Sequence, residues 1–144
     1  MIIFYFDSAH AIIVHDMVIA ISGGVPGVIN IGQLESLVCH IQSDEYYPSF
    51  IDKLTHLIFG ITKFHCFIDG NKRSAIALGA YFLELNGYGW LTQHFIREME
   101  NVIVWVAEGS VSKELLHKIV NCLCNCEEYP ENIKLELIDL LGGI

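Results

Sequence analysis

Residues 65–74 read HCFIDGNKRS, and the apolar segment IALGAYFL follows at residues 76–83. The first stretch gathers an imidazole, a carboxylate, a glycine, an amide and two cationic side chains within ten positions. A polar loop that runs directly into such an apolar segment is typical of a loop followed by a helix buried on nearly all sides. Ala75, Gly79 and Ala80 would let neighbouring helices approach that helix closely. The stretch therefore predicts a helical bundle with its functional groups at the start of a buried central helix.

Helical patterns also flank this stretch. Apolar residues at helical spacing predict helices at residues 9–21, 33–41, 50–63, 71–86, 95–108, 113–125 and from Pro130 to Leu141. We expect Ser8 and Ser112 to cap the helices that follow them, and Gly87 to end the central helix. No repeat, linker or convincing strand pattern is present. The sequence thus predicts an all-α fold with a single domain over residues 1–144.

Composition narrows the class of protein. Of the 144 residues, 53% are apolar and 17% are charged, which excludes a largely disordered chain. This apolar content is high for a lone monomer, and it indicates that a partner covers some apolar surface. We therefore expect the chain to aggregate readily when it is purified alone.

The net charge of −9 argues against nucleic-acid binding, since that requires a basic surface. The eight basic residues are unevenly placed: half of them, opposed locally only by Asp52 and Asp69, are Lys53, Lys63, Lys72 and Arg73. A locally positive site on an acidic protein suits a small anionic ligand.

The cysteines and the amino-terminal segment indicate the cellular compartment of the protein. Five cysteines, an odd number, and a first segment without a basic signal region favour reduced thiols in a cytosol. His15 and Asp16 interrupt the apolar stretch at residues 9–21, which argues against a membrane span. We expect a cytoplasmic protein without a membrane partner.

The groups of the opening motif match what transfer of a phosphoryl or nucleotidyl group requires, namely in-line positioning and stabilised phosphate charge. His65 is the candidate general base, because an imidazole can take a hydroxyl proton at neutral pH. Asp69 offers a hard oxygen ligand for Mg²⁺. Gly70 permits a tight turn, and the backbone N–H groups around Asn71 form an anion-binding helix start.

Two cations complete this set, since Arg73 can donate a pair of hydrogen bonds to phosphate oxygens and Lys72 adds a point charge. A purely structural interpretation is the alternative: a lone histidine is more often structural, Gly-Asn is a common turn, and Phe67 and Ile68 serve as apolar anchors for the loop. Six groups of the right type ending at a predicted helix start favour the phosphate site.

These residues carry a resemblance. The run 65–73 resembles the signature of the Fic/Doc family, His-x-Phe-x-Asp/Glu-Gly-Asn-Gly/Lys-Arg, and Lys72 in place of glycine is similar to the Doc (death-on-curing) branch. Cys66 departs from the proline of most Fic motifs. The flanking runs that also resemble Doc-like toxins are HD at 15–16, GGVPG at 23–27, QLES at 33–36 and AYFLELNGY at 80–88. The resemblance covers residues of about 8–120, and an acidic extension at about 127–144 lies beyond it.

The resemblance implies an all-α Fic fold and a toxin of a bacterial toxin–antitoxin pair. Such a toxin uses ATP and Mg²⁺ to phosphorylate a threonine of elongation factor Tu, which stops translation, and a cognate antitoxin silences it. Carried over by position, His65 would activate the target hydroxyl and Asp69 would bind Mg²⁺. The residues that would hold phosphates are Gly70, Asn71, Lys72 and Arg73, supported by Lys63 where Doc has an arginine.

Lys72 separates the possible activities. Glycine at this position lets a nucleotide lie as it does when Fic enzymes transfer AMP, whereas the lysine of Doc goes with transfer of the γ-phosphate. We therefore expect a kinase. An AMP transferase and a catalytically inactive module that binds a nucleotide or a partner remain the alternatives.

Regulation and the remaining cysteines give two further expectations. Self-inhibited Fic proteins carry Ser/Thr-x-x-x-Glu-Gly/Asn, but in this chain Leu115 follows the nearest match, at residues 110–114. Inhibition should therefore come from a separate protein. Cys122, Cys124 and Cys126 do not share one helix face, so buried thiols are favoured over a metal site with His117.

Overall fold

The computed structural model describes residues 2–140, which form seven α-helices and one short 3-10 helix. The α-helices are α1 (Ser8–Ser22), α2 (Ile31–His40), α3 (Phe50–Lys63), α4 (Asn71–Leu85), α5 (Thr92–Glu108), α6 (Lys113–Cys124) and α7 (Glu131–Leu140); the 3-10 helix, Gly89–Leu91, leads into α5. Within the described residues, the β pairing consists of one isolated antiparallel bridge between Val28 and Phe67. The predicted all-α fold is confirmed.

Local hydrogen bonds account for two of the predicted helix ends. Ser112 caps α6, because its hydroxyl accepts the Leu115 N–H at 3.1 Å. Gly87 follows α4 with a φ of 87°, and its N–H donates to the Glu84 carbonyl at 3.2 Å. This left-handed position directly after a helix favours glycine.

Two predicted boundaries were wrong. Asp7 caps α1 instead of Ser8, since the Asp7 carboxylate accepts the His10 N–H at 2.9 Å and Ser8 is already helical. Helix α5 begins at Thr92 instead of residue 95. Its first turn is mostly polar and solvent-facing, so the apolar periodicity becomes visible only at Phe95.

The centre of the bundle is shared by two helices. Helix α4 packs against α1, α3 and α5, as expected for the central helix. A Cβ on Gly79 would lie 2.9 Å from Phe95 Cζ of α5 and 3.2 Å from Ile58 Cγ1 of α3, which confirms the predicted close approach. Helix α3 is buried over more of its length than α4, and its fully enclosed apolar residues are Leu54, Leu57, Ile58 and Ile61.

One basic residue expected near the motif is used elsewhere. Lys53 is fully buried, and its Nζ donates to the Ile41 carbonyl at 2.9 Å and to Asp44 Oδ1 at 2.8 Å. A buried ammonium requires such partners, and they were not visible in the sequence. The positive charge beside the motif therefore comes from Lys63, Lys72 and Arg73.

Helix α7 packs on α6 and buries Ile133, while Leu135 and Ile138 are exposed. The predicted helix end at Leu141 and the last residues of the acidic extension, 142–144, lie outside the described residues. In the described part of the chain, no helix combines the length and apolarity needed to cross a membrane.

Candidate active site

The opening motif connects α3 to α4 and is bound along one side by the segment at residues 23–30. The Ile29 N–H donates to the Cys66 carbonyl at 2.8 Å, and the Ile68 N–H donates to the Gly27 carbonyl at 3.0 Å. Cys66 and Phe67 are fully buried, so Phe67 is the anchor that was predicted. Ile68 is 53% exposed, so the prediction that it is a second anchor is wrong.

Asn71 holds the loop through its side chain. Its Oδ1 accepts the Phe67 N–H at 3.1 Å and its Nδ2 donates to the Phe67 carbonyl at 2.9 Å. These bonds use the Oδ1 acceptor and one of the two Nδ2 N–H donors, so the other Nδ2 N–H and the backbone N–H of Asn71 remain for a phosphate. Gly70 adopts a φ of 74°, the tight turn expected from the sequence. Among the described residues no side chain caps α4, so its first N–H groups are available to an anion.

Backbone N–H groups hold the carboxylate of Asp69. Its Oδ2 accepts the Val25 N–H at 3.1 Å, and its Oδ1 accepts the Gly70 N–H at 2.7 Å. These hydrogen bonds, with the Arg73 guanidinium nearby, lower the pKa of Asp69 and keep it ionised at neutral pH. The approach of Val25 depends on Gly24, where a Cβ would lie 2.7 Å from Asp69 Oδ2.

Arg73 links α4 to the end of α1. Its Nη1 donates to the Ser22 hydroxyl and, at 2.8 Å, to the Gly23 carbonyl, while Nη2 lies 3.9 Å from Asp69 Oδ1. A guanidinium carries five N–H donors, so these contacts leave donors for a phosphate. Arg73 is both a structural link and a candidate phosphate ligand.

All of the predicted site residues meet in one pocket of about 370 Å³. The pocket is lined by Lys63, His65, Asp69, Gly70, Asn71, Lys72 and Arg73, together with Thr62, Ile68 and Ala107. Helix ends supply its walls: Lys63 ends α3, and its Nζ lies 3.5 Å from the carbonyl of Ala107 near the end of α5. A small anionic ligand would meet three cationic side chains in this pocket.

The candidate base and the diagnostic lysine are both accessible. His65 and Lys72 are exposed at the pocket. His65 also has a φ of 50°, in the left-handed region that non-glycine residues rarely adopt. Such strain persists where neighbouring contacts hold the backbone, and it is frequent at functional sites.

The donor set of the pocket fits a magnesium ion bound together with phosphates. Among residues 2–140, no three His, Cys, Asp or Glu side chains are grouped so that protein ligands alone could hold a metal. Asp69 is the acidic residue that lines the pocket. One carboxylate with substrate phosphates and water is a common ligand set for Mg²⁺.

The cysteines of α6 lie outside this pocket. Cys122 and Cys124 are buried, and burial raises the pKa of both thiols, that of Cys124 to about 12. Cys126 is exposed beyond the helix end, so the expected burial is wrong for this one residue. His117, which was considered as a metal ligand beside these cysteines, contacts a carboxylate of α3: its Nε2 lies 2.8 Å from Asp52 Oδ1.

The structure adds two residues to the site that the sequence had not assigned. His15 of α1 is fully buried, with Nε2 2.7 Å from the Asp69 carbonyl oxygen. A histidine within an apolar stretch was the available signal for it. Val25 contributes a backbone N–H, which leaves no signal in a sequence.

The sequence of this chain matches a known protein family and is similar to individual known proteins. A profile of the Fic/DOC family matches residues 5–83. The chain is similar to the protein kinase Doc of Escherichia phage P1, with 30% identity over 105 residues that cover 70% of this chain and 80% of that protein. It is also similar to the toxin Doc of Mycolicibacterium smegmatis, with 36% identity over 69 residues that cover 45% of this chain and 53% of that protein.

Proposed function

The chain belongs to the Fic/Doc family, and we propose that it is a Doc-like toxin that transfers the γ-phosphate of ATP to a Ser or Thr hydroxyl of a target protein. The observation that carries the proposal is the pocket that joins an exposed imidazole, a held carboxylate and three cations. Two similar proteins named as a protein kinase and a toxin support it. By resemblance, the proposed target is elongation factor Tu in the cytoplasm, and the outcome is a block of translation.

His65 acts as the general base in this proposal. Its exposed imidazole takes the proton of the target hydroxyl, whose oxygen attacks the γ-phosphorus. The bond from that phosphorus to the oxygen bridging the β- and γ-phosphates breaks, and ADP leaves. Because the adjacent Cys66 carbonyl accepts the Ile29 N–H, the backbone that carries His65 is anchored during this step.

The phosphates are bound by the helix start and by the cations around it. The first residues of α4 line the pocket with N–H groups that no side chain caps, and Arg73, Lys72 and Lys63 add positive charge to it. In a transfer of this kind the protein contributes mainly position and electrostatic stabilisation. The number of donors converging on one small pocket suits that requirement.

Asp69 is the proposed magnesium ligand. The Val25 and Gly70 N–H groups hold its carboxylate and lower its pKa, so it is ionised and oriented before a metal arrives. When bound, Mg²⁺ would neutralise charge on the phosphate oxygens and help to hold them in line.

Lys72 is the basis for proposing a kinase over an AMP transferase. Its side chain is exposed at the pocket, where it occupies space that glycine would leave free and brings a charge to the phosphates. A nucleotide lying close over the loop in the orientation for AMP transfer would meet this side chain. The γ-phosphate is therefore the group that we propose to move.

A cognate antitoxin is the proposed regulator. An apolar groove of about 500 Å³ runs between α1, α4 and α5, and its walls include Met17, Val18, Ile21 and Ala80. Arg73 lines both this groove and the catalytic pocket, so an occupant of the groove could contact a side chain that we propose as a phosphate ligand. An amphipathic helix of the antitoxin would fit an apolar groove of this kind.

Labelled ATP tests which group is transferred. The chain is incubated in bacterial lysate with Mg²⁺ and ATP labelled at the α- or the γ-phosphate, and the labelled protein is identified by mass. We expect label from the γ-phosphate and none from the α-phosphate. Label from the α-phosphate would indicate AMP transfer, and no label from either would indicate an inactive binding module.

A matched pair of histidine variants identifies the base. His65→Ala should lower the labelling about 10²–10⁴-fold, the usual contribution of a general base. His94→Ala alters another exposed histidine, outside the pocket, and should label like the wild type. Wild-type labelling by His65→Ala would remove His65 from the proposed mechanism.

A further inference from the structure

His15 is a fully buried histidine within an otherwise largely apolar part of α1. Its ring stacks on Phe67 of the active-site loop, with centroids 3.9 Å apart and 6° between the ring planes. Burying an imidazole is unfavourable unless its nitrogens are hydrogen-bonded. The bonds that His15 makes therefore indicate what it is placed there to hold.

The principal bond goes to the backbone of Asp69. His15 Nε2 lies 2.7 Å from the Asp69 carbonyl oxygen, and a carbonyl oxygen can only accept, so Nε2 carries the hydrogen and donates it. The contact at 3.3 Å between Nδ1 and Asp16 Oδ1 is a second hydrogen bond only when Nδ1 also carries a hydrogen, and Asp16 belongs to the same helix as His15. The bond from Nε2 to the Asp69 carbonyl is therefore the one that joins α1 to the loop.

These contacts immobilise the loop segment that carries Asp69. The Asn71 amide holds the backbone of Phe67, and His15 holds both the Phe67 ring and the Asp69 carbonyl. The carbonyl and the carboxylate of Asp69 extend from the same Cα. Fixing the peptide plane therefore restricts the direction in which the carboxylate can point.

We propose that His15 is a positioning residue for Asp69, and that its hydrogen bond to the Asp69 carbonyl sets the angle at which the carboxylate meets Mg²⁺. This role rests on the proposed function, which makes Asp69 the magnesium ligand. His15 is not among the residues that line the described pocket, so it acts through the loop. Partners that orient a metal ligand typically contribute about 10–100-fold to metal affinity.

The test measures how much Mg²⁺ strengthens nucleotide binding. Isothermal calorimetry gives the Kd of adenylyl-imidodiphosphate, a non-hydrolysable ATP analogue, first with EDTA and then with Mg²⁺. The ratio of the two Kd values reports the metal-dependent part of binding. A variant that is merely less well folded weakens both values alike and leaves the ratio unchanged.

Two variants of His15 separate the hydrogen bond from the packing. His15→Phe keeps a flat ring stacked on Phe67 but has no N–H, and it should lower the ratio about tenfold. His15→Gln keeps an N–H donor of similar reach and gives up the stacking. It should keep a ratio close to that of the wild type, although its thermal stability falls.

Two control variants define the range of the expected effect on the ratio of Kd values. Asp69→Asn removes the proposed ligand and should bring the ratio towards one. His56→Phe alters another buried histidine, which is 8% exposed, stacks on Tyr47 at 4.3 Å and lies 2.8 Å from Lys113 Nζ. It does not line the pocket and should leave the ratio unchanged.

The outcomes separate this inference from the proposed function. If Asp69→Asn lowers the ratio and His15→Phe does not, the positioning role is overturned and the magnesium site stands. If His15→Phe does not fold, His15→Leu, which also lacks an N–H, takes its place, and a ratio like that of the wild type overturns the role. A His15→Gln ratio as low as that of Asp69→Asn overturns it as well. A wild-type ratio of one overturns the magnesium site itself, and the positioning role with it.

Discussion

Burial and neighbouring charges determine the protonation state of individual side chains in this bundle. His56 of α3 is stacked on Tyr47, and its Nδ1 lies 2.8 Å from Lys113 Nζ. The ammonium can only donate, so Nδ1 accepts and the ring is neutral. Burial, the charge of Lys113 and the charge of His40 lower the pKa of His56 to about 4.

This shift predicts a loss of stability in mild acid. In the unfolded chain a histidine has a pKa of about 6.5, so the unfolded state binds the proton more tightly. Neutral His56 makes its full contribution to the free energy of unfolding above a pH of about 6.5. This contribution is lost as the pH falls towards about 4. Over that interval the free energy of unfolding should fall by up to about 3 kcal/mol.

Urea unfolding at both ends of this interval, for the wild type and for His56→Phe, measures the effect. Phenylalanine cannot titrate, so the variant should lose less stability than the wild type on acidification. An equal loss in both proteins would mean that His56 titrates alike in the folded and unfolded states.

At the scale of single residues, the sequence located the pocket because eight of the residues that line it lie within positions 63–73. Contiguous residues stay close in any fold. The sequence misplaced Lys53, whose ammonium is buried against Asp44, because only the fold decides which groups a buried ammonium meets. It also did not show that the side chain of Asn71 binds the backbone of Phe67.

At the scale of the helices, α6 ends with an unusual residue at a position that normally holds glycine. The Glu127 N–H donates to the Cys122 carbonyl at 3.0 Å, and the Cys126 N–H donates to the Leu123 carbonyl at 3.2 Å. This is the Schellman arrangement, whose left-handed position normally holds glycine. Here Cys126 occupies it with a φ of 53°.

Cys126→Gly should therefore stabilise the protein. Relief of the left-handed strain contributes about 1–2 kcal/mol. The greater freedom of glycine in the unfolded chain offsets about 0.5–1 kcal/mol of this. We expect a net gain of about 0.5–1 kcal/mol in the free energy of unfolding, measured by chemical denaturation.

Cys126→Ala provides the control for this change. Alanine also removes the thiol but keeps the Cβ that causes the strain, so it should give no comparable gain. Equal stability of the glycine and alanine variants would show that the backbone strain is not the cause.

The sequence indicated the helices well where an apolar face and a capping residue coincide, as in α3 and α6. It placed the start of α5 too late, because a solvent-facing first turn has no apolar periodicity. The sequence also did not show that Asp7 caps α1 in place of Ser8, since either residue can cap a helix.

At the scale of the whole molecule, a continuous apolar surface follows α1. Ile13, Met17 and Ile21 are more than half exposed on this helix, and Met17 and Ile21 line the groove that we assign to the antitoxin. Exposure of this kind on an isolated chain agrees with the apolar content of 53%. It makes the groove the natural place to test partner binding.

Met17→Lys should weaken binding of the antitoxin. Met17 is 57% exposed, so the fold should tolerate the lysine, while the groove loses an apolar contact and acquires a charge that an apolar antitoxin face would have to cover. We expect at least about a tenfold rise in the Kd for the proposed cognate antitoxin, measured by calorimetry. Phosphate transfer by the variant should be retained, because Met17 does not line the catalytic pocket.

Leu135→Lys is the matched control. Leu135 is 56% exposed on α7, outside the groove, and its replacement should leave the complex unchanged. A complex weakened by Leu135→Lys and not by Met17→Lys would place the antitoxin on another face.

The sequence by itself determined the all-α class, the order of the helices and the residues of the pocket. Apolar periodicity and a contiguous motif are local properties, so they can be recognised without a structure. Only the tertiary structure decided which distant groups support the motif: His15 bonds to Asp69 across 54 positions, and the Val25 N–H bonds to the same residue across 44. Packing of α1 and α4 creates these contacts, and the spacing of residues within one helix carries no information about the other.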